Sequence, residues 1–263
     1  MLVTSLPPLA PGIGGAAITG YQLLATIFSY SNETNPQTAT QYSKFVPIES
    51  TDKTQKMISS KDGMTMIYLP AFIATSSVLA LGFNNIIPVS PSLAGAFVNM
   101  HFLKRLYEVF KVHKYSGKVS QGISAFIGTY YALIAVLISC VATPTPSIDS
   151  QIIGTVLFVI GLAGNYYHHS ILAELRKNNA SSTKYVAPKG GFFNYVAAPH
   201  YLFELIGWLG IAVISEHGNA FLVFASMSSY LSGRSVSQNR WNKEQFSGKD
   251  WPQDRKNIVP FLF

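Results

Sequence analysis

Residues 122–145 read GISAFIGTYYALIAVLISCVATPT, a run that contains no Asp, Glu, Lys or Arg. A helix needs about 20 mostly apolar residues to cross a bilayer, so this run is long enough to do so. Six further stretches resemble it in length and apolar character, although Pro or polar residues interrupt several of them. The sequence therefore predicts seven membrane-spanning helices, at residues 9–30, 64–88, 92–112, 122–145, 150–173, 195–215 and 218–234.

The composition of the 263-residue chain agrees with this interpretation. Hydrophobic residues make up 48% of the chain and charged residues 12%, whereas soluble domains carry about 25% charged residues. So much apolar material excludes a disordered chain, and the single Cys140 excludes a disulfide scaffold. The sequence thus predicts an all-α, multi-pass integral membrane protein.

The basic residues are distributed on one side of this predicted topology. All 19 Lys and Arg residues lie in the third predicted span, at the end of the seventh, or after the first, third, fifth and seventh, while residues 84–91, 144–149 and 216–218 contain none. Such asymmetry is the positive-inside pattern, so the net charge of +7 indicates membrane orientation and not nucleic-acid binding. We expect the C-terminus in the cytosol or a mitochondrial matrix and the N-terminus opposite. The predicted division is a first helix with a polar loop, residues 1–63, and a membrane domain with a C-terminal tail, residues 64–263.

Two predicted spans carry ionisable side chains. The third contains His101, Lys104, Arg105 and Glu108; the fifth ends in Asn165-Tyr-Tyr-His-His, and Glu174 and Arg176 follow it. Ionisable groups at membrane depth usually face a cavity or the interior of a bundle. We therefore expect a wet or ligand-filled pocket that opens to the basic side.

Two short motifs carry little functional information. Gly12, Gly14 and Ala17 fit a loose GxGxxA pattern, but a dinucleotide fingerprint needs a preceding strand, and this one opens a predicted membrane helix. His168 and His169 are adjacent, and adjacent helical residues do not face the same way. The sequence predicts no metal site.

The segment 185–204, YVAPKGGFFNYVAAPHYLFE, is more informative. Pro199 is suited to the first position of a helix, which places His200 and Glu204 one above the other on that helix. A helix start with an interfacial His remains an alternative interpretation. In the tail, Arg234, Arg240 and the pair Arg255–Lys256 either contact lipid headgroups or form a phosphate-binding lid.

Together these segments resemble the steroid 5α-reductase family of membrane reductases over most of residues 99–263. The resemblance rests on His101-Phe-Leu-Lys-Arg105, Asn165, the Leu-Arg176-Lys segment, Tyr185 with Pro-Lys-Gly-Gly191, Pro199-His-Tyr with Glu204 and Trp208, Gly233-Arg234, and Arg255-Lys with Pro260-Phe-Leu-Phe. The segment around His101 looks most like the trans-2-enoyl-CoA reductases and Pro199-His-Tyr-Leu looks like the polyprenol reductases, so the branch stays open.

The resemblance implies a seven-helix membrane bundle that binds NADPH from the cytosolic side. It implies reduction of a carbon–carbon double bond, usually conjugated to a carbonyl, in a lipid-like substrate: an enone steroid, an enoyl-CoA or a polyprenol. It also implies the endoplasmic reticulum, while the short loops leave the mitochondrial inner membrane open as the alternative. The cofactor-binding positions that it implies are Asn165, Arg176, Tyr185, His200, Glu204, Trp208, Arg234 and Arg255, with His113 and Lys114 as weaker candidates.

The chain departs from the family where a proton donor is expected. In the steroid reductases, the positions that match Tyr68 and Phe102 hold a Glu and a Tyr respectively. In the enoyl-CoA reductases, the position that matches Asn242 holds a Tyr. Tyr68 and His101 are then the candidate catalytic residues, with Tyr115 as a further possible donor. A catalytically degenerate member, acting as a structural or ligand-binding subunit of a membrane complex, stays open beside the reductase, as does an unrelated transporter or channel.

Overall fold

The structure is a computed structural model that describes residues 7–40, 55–178, 185–246 and 250–263. The described backbone is mostly helical, and its seven α-helices correspond one to one with the seven predicted spans. They are α1 Gly12–Thr34, α2 Ser60–Phe83, α3 Leu93–Tyr107, α4 Gln121–Val141, α5 Ile148–Asn178, α6 Pro199–Ser215 and α7 Gly218–Gln245.

A short antiparallel ribbon departs from the expected all-helical fold. Strand β1, Met57–Ser59, pairs with strand β2, Lys118–Ser120. Ser59 ends β1 and accepts a hydrogen bond from Asp62 N at the start of α2, while Ser120 ends β2 and accepts one from Ile123 N at the start of α4. The ribbon thus holds the N-termini of α2 and α4 side by side, and both termini are capped.

Contacts between helix ends fix the directions of the helices. Gly218 N donates to Pro8 O at 2.7 Å and Arg240 donates to Thr34 O at 3.1 Å, so α1 and α7 run parallel. At the opposite end from the ribbon, Ser147 Oγ donates to Glu216 Oε1 at 2.6 Å and joins the start of α5 to the end of α6.

The end of the bundle that holds the ribbon is called the basic end below. There the ribbon, the loop 113–117, the end of α5, the start of α6 and the C-terminal tail meet. Arg176 Nη1 donates to Lys114 O at 2.8 Å, and Ala197 N donates to Lys256 O at 2.8 Å. The described basic residues cluster toward this end, as the charge pattern predicted.

Three described helices are long and apolar enough to cross a membrane, namely α2, α4 and α5, and α6 is a shorter apolar helix. The side chains of Ile152, Ile153 and Val156 on α5 are each more than half exposed. Exposed apolar side chains that are grouped on one helix face are typical of a surface that lipid or another protein covers.

Helices α5 and α6 approach one another closely through glycines. A Cβ added at Gly161 would lie 2.3 Å from Gly207 N, and one added at Gly210 would lie 2.6 Å from Gly154 O. Small residues allow the backbones of membrane helices to come this close. The contact positions Asn165 on α5 opposite the start of α6.

Most helices begin or end a few residues from their predicted bounds, and two of them differ further in kind or in extent. Helix α3 continues as a π-helical turn, Glu108–Val112, and α7 extends beyond residue 234 to Gln245. The polar extension of α7 is satisfied by α1 and the tail, since Ser237 Oγ donates to Glu33 O and Trp251 Nε1 donates to Asn239 Oδ1 at 2.9 Å. Residues 41–54 of the predicted polar loop lie outside the described residues.

Candidate active site

A fully buried carboxylate, that of Glu108, lies where α3 reaches the basic end. Its Oε1 is 2.7 Å from Lys104 Nζ and 2.9 Å from His169 Nδ1, and its Oε2 is 2.8 Å from Arg105 Nη1. Removing a carboxylate from water costs roughly several kcal/mol unless charged and hydrogen-bonding partners offset this cost. These four residues form what we call the charged cluster.

Tyr68 on α2 is attached to the charged cluster through Arg105. Arg105 Nη2 donates to the Tyr68 hydroxyl oxygen, and the guanidinium carbon lies 4.7 Å from the centre of the phenol ring. The ring of Tyr131 on α4 also stacks with the Tyr68 ring, with ring centres 6.0 Å apart. Because Arg105 donates to the phenol oxygen, the phenol's own hydrogen is not used in this contact.

Asn165 links the charged cluster to α6. Lys104 Nζ donates to Asn165 Oδ1, and Asn165 Nδ2 donates to the carbonyl oxygen of His200 at 2.8 Å. The Asn165 side chain is almost completely buried, so both ends of its amide are fixed by protein groups.

A second link between α3 and α6 lies one turn away. His101 Nε2 is 3.3 Å from Glu204 Oε1, and Trp208 Nε1 donates to the same oxygen at 3.4 Å. The His101 ring also lies 5.1 Å from the Trp208 ring. Glu204 thus holds both rings, and with His101 it lines the space between α3, α5 and α6.

That space has a volume of about 10 Å³, close to that of one water molecule. The near contact of Gly161 with Gly207 keeps it small. A nicotinamide ring would enter it only if side chains of its wall, such as Phe203, moved aside. Its lining residues are His101, Lys104, Phe158, Gly161, Leu162, Asn165, Phe203, Glu204 and Gly207.

The loop 113–117 covers the charged cluster at the basic end. The His113 ring lies 4.8 Å from the His169 ring, and burial together with the nearby Arg105 charge lowers the pKa of His113 to about 4. Burial raises the pKa of Tyr115 to about 12, and its buried hydroxyl has no hydrogen-bond partner within the described residues. Tyr115 is therefore a neutral donor near the cluster.

Arg255 occupies a second region, in the C-terminal tail. Its guanidinium carbon lies 4.0 Å from the Trp251 ring, and its buried Nε and Nη1 atoms have no partner among the described residues. A cavity of about 330 Å³ lies beside it, within the range of small-molecule sites. The cavity is lined by Asn239, Lys243, Gln253, Asp254, Arg255, Lys256, Asn257, Leu262 and Phe263.

Two other predicted cofactor positions have different surroundings. Arg234 is buried on α7, where its Nη1 donates to Glu33 Oε2 at 3.1 Å and to Thr40 O at 2.7 Å. Tyr185 is more than half exposed and packs against Trp241 with ring centres 4.7 Å apart. Arg234 thus joins α7 to the end of α1, and Tyr185 lies on the surface of α7.

Glu108, His113 and His169 could in principle hold a metal ion, since their ligand atoms all lie within 4.8 Å of one another. However, Lys104 and Arg105 already contact the Glu108 carboxylate. A divalent cation at this position would be repelled by both side chains. The arrangement suits a hydrogen-bonded ion network better than a metal centre.

The two residues that stand in place of the family's donors are buried in apolar or amide surroundings. Phe102 is 0% exposed and meets the His101 ring edge-on at 5.1 Å. Asn242 accepts a hydrogen bond from Gln238 Nε2 at 2.7 Å. Neither side chain can deliver a proton, whereas Tyr68, beside Arg105, can.

The structure thus brings together Tyr68, His101, Asn165, Glu204 and Trp208, with the backbone of His200. Arg176 lies at the rim of this group, through Lys114 O, and Arg255, Arg234 and Tyr185 lie in the regions described above. The sequence predicted that the ionisable residues of α3 face a cavity, but it did not point to Tyr131, nor to Asn239 and Lys243 at the tail cavity. Nothing in the local pattern of α4 distinguishes Tyr131 from its neighbour Tyr130.

Comparisons with known proteins agree with the resemblance noted in the sequence. A family model described as 3-oxo-5-alpha-steroid 4-dehydrogenase matches residues 122–263, more than half of the chain. The very-long-chain enoyl-CoA reductase of Dictyostelium discoideum is 27% identical over 169 residues, which cover 62% of this chain and 55% of that protein.

Two further relatives match shorter stretches. The steroid 5-alpha-reductase DET2 of Solanum lycopersicum is 37% identical over 113 residues, 42% of each chain. Polyprenal reductase 1 of Oryza sativa subsp. indica is 36% identical over 115 residues, 43% of this chain and 32% of that protein. The chain therefore spans about half, or less, of the length of the relatives it matches.

Proposed function

The chain belongs to the 3-oxo-5-alpha-steroid 4-dehydrogenase family, and from that premise we propose that it is an NADPH-dependent membrane reductase. Its substrate is a lipid-like molecule with a carbon–carbon double bond conjugated to a carbonyl. The matched relatives are named as reductases of an enoyl-CoA, a steroid and a polyprenal. Such substrates share an electron-poor double bond and a long apolar body.

The observation that carries the proposal is the contact between Arg105 and the Tyr68 hydroxyl inside a buried, charged environment. Reduction of a conjugated double bond places negative charge on the carbonyl oxygen, and a preorganised donor there stabilises the transition state. A phenol with a guanidinium against its oxygen is such a donor, because the cation stabilises negative charge shared between phenol and carbonyl.

Bound NADPH would supply the hydride to the β carbon of the substrate. Tyr68 would give its proton to the carbonyl oxygen, the enol that forms would rearrange to the saturated carbonyl compound, and the phenolate beside Arg105 would recover a proton from solvent after product release. His101, oriented by Glu204 at 3.3 Å, lies on the same face of α3 as Arg105 and is the second polar group available to the reacting end. The surrounding aromatic side chains Phe102, Tyr131 and Trp208 exclude water.

The cofactor contacts that we propose follow the two regions of the site. Asn165, His200, Glu204 and Trp208 surround the nicotinamide end, where amide and carboxylate groups suit a carboxamide. The spare donors of Arg255, with Lys243 and Lys256 nearby, suit phosphate oxygens, because guanidinium and phosphate pair through two parallel hydrogen bonds. Arg176 and Tyr185 lie toward the solvent. Arg234 is paired with Glu33, so it would bind the cofactor only by dividing its charge between that carboxylate and the cofactor.

We propose that all seven helices cross the membrane and that the basic end, with the C-terminal tail, faces the cytosol or a mitochondrial matrix. The endoplasmic reticulum is the proposed membrane, with the mitochondrial inner membrane as the alternative. The chain would contact lipid and a hydrophobic substrate, and could be a subunit of a larger membrane complex.

Turnover by the purified chain in detergent or nanodiscs tests this function. NADPH oxidation is followed at 340 nm with a panel of enones, enoyl thioesters and polyprenals, with Tyr68→Phe as the matched variant. We expect turnover by the wild type with NADPH in preference to NADH and a much slower rate for Tyr68→Phe. Absence of NADPH binding in a direct titration would refute the proposal.

A ligand-binding subunit without catalysis is the second candidate, favoured by the small space between α3, α5 and α6 and by Phe102 at an expected donor position. The same assay separates the two functions. NADPH binding without reduction of any substrate in the panel would select the subunit.

A further inference from the structure

We propose that Glu108 is a positioning residue that holds Arg105 in place so that Arg105 can act on Tyr68. This inference rests on the proposed reductase function. Glu108 itself is closed to a substrate, because it is fully buried, its Oε1 is shared by Lys104 and His169, and its Oε2 is held by Arg105. Its role is therefore exerted through its neighbours.

The geometry of Arg105 shows how this works. Its Nη1 is held by Glu108 Oε2 at 2.8 Å and lies 3.1 Å from His169 Nδ1, while its Nη2 reaches the Tyr68 hydroxyl. A guanidinium is planar and its donors have fixed directions. Fixing Nη1 therefore fixes the direction in which Nη2 points.

The backbone supports the position of Glu108. It begins the π-helical turn Glu108–Val112, and His113 N donates to its carbonyl oxygen at 2.8 Å across five residues. Its own N–H is shared between the carbonyl oxygens of Lys104 and Arg105. Single π-helical turns inside α-helices occur frequently at functional sites.

The charge balance explains why a neutral residue at position 108 would not hold Arg105 in place. Lys104 and Arg105 are neighbours in the chain, and both are largely buried. Without the Glu108 carboxylate, the two cations would repel one another in a region of low dielectric. Arg105 would then turn toward another acceptor and leave Tyr68.

A double-mutant cycle on kcat tests the inference, using wild type, Glu108→Gln, Tyr68→Phe and the double variant. If Glu108 acts through Arg105 and Tyr68, Glu108→Gln lowers kcat by about 10–100-fold in the wild-type background. In the Tyr68→Phe background it lowers kcat by less than about threefold, because coupled residues are not additive. The KM for NADPH should stay within about threefold throughout.

Exposed Glu174 on α5 provides the matched control, and Glu174→Gln should keep wild-type kcat. The inference is overturned if Glu108→Gln has wild-type kcat, if it costs the same factor in both backgrounds, or if Tyr68→Phe alone has no effect. A wild type that binds NADPH but reduces nothing would refute the proposed function and this inference with it. If Glu108→Gln does not fold, the same cycle is run with Glu108→Asp, which keeps the charge and shortens the side chain.

Discussion

At the scale of single residues, the two buried nitrogen atoms of Arg255 that lack partners in the described part of the chain are informative. A buried donor without an acceptor costs about 1–3 kcal/mol, so a chain that retains such donors beside a cavity of about 330 Å³ is suited to bind an anion there. The charged cluster is different, because its donors and acceptors contact one another.

Arg255→Ala should therefore weaken NADPH binding by about 1.5–3 kcal/mol, the usual contribution of a hydrogen bond to a charged group. Titration followed by tryptophan fluorescence would measure the affinity. The matched control is Lys118→Ala, since Lys118 is exposed and lies on the ribbon; its affinity for NADPH should stay unchanged. Equal losses of NADPH affinity in both variants would indicate that the affinity depends on the overall positive charge and not on Arg255 itself.

His113 should make the stability of the protein depend on pH. Its pKa is lowered to about 4 by burial and by the Arg105 charge, so the unfolded chain takes up a proton at a higher pH than the folded chain does. The stabilisation is complete above the ordinary histidine pKa of about 6.5 and is lost as the pH falls toward the folded value.

His113→Asn should accordingly flatten this dependence by about 1–3 kcal/mol between roughly pH 7 and pH 4.5. Thermal unfolding of both proteins in the same detergent across this range measures the difference. Parallel curves for wild type and variant would show that His113 titrates normally in the folded chain.

At the scale of elements, the seven helices follow from long apolar runs, and their observed starts mostly lie within a few residues of the predicted ones. Three starts are marked by Ser caps, at Ser59, Ser92 and Ser120. The extension of α7 to Gln245 was not predicted because its sequence is polar there. Its polar groups are satisfied by α1 and the tail, partners that are distant in the chain.

The close contact between α5 and α6 gives a prediction at this scale. Gly161→Ala would place a Cβ 2.3 Å from the backbone nitrogen of Gly207, so the helices must separate, and we expect a loss of about 1–3 kcal/mol in stability. Gly20→Ala is the control, since a Cβ there has no neighbour within 4 Å. Its unfolding temperature should stay equal or rise, and a similar fall for both variants would contradict this interpretation of the contact.

At the scale of the whole molecule, the clustering of described basic residues toward one end gives a prediction of orientation. In sealed vesicles with the cytosolic or matrix face outward, a tag at Phe263 should be digested by added protease and a tag at Met1 should be protected. An odd number of spans requires this asymmetry. Digestion of both tags from the same side would contradict seven spans.

The sequence by itself determined the helical class, the approximate helix bounds, the basic side and the family. These properties depend on composition, on local hydrophobic runs and on short motifs, all of which can be recognised along the chain. Only the tertiary structure decided how the predicted residues group: Asn165, Glu204 and Trp208 beside the charged cluster, Arg255 at the tail cavity, and Arg234 against Glu33. The pairing of Arg105 with Tyr68 joins residues from different helices, and such pairings depend on helix packing, which the pattern of neighbouring residues does not contain.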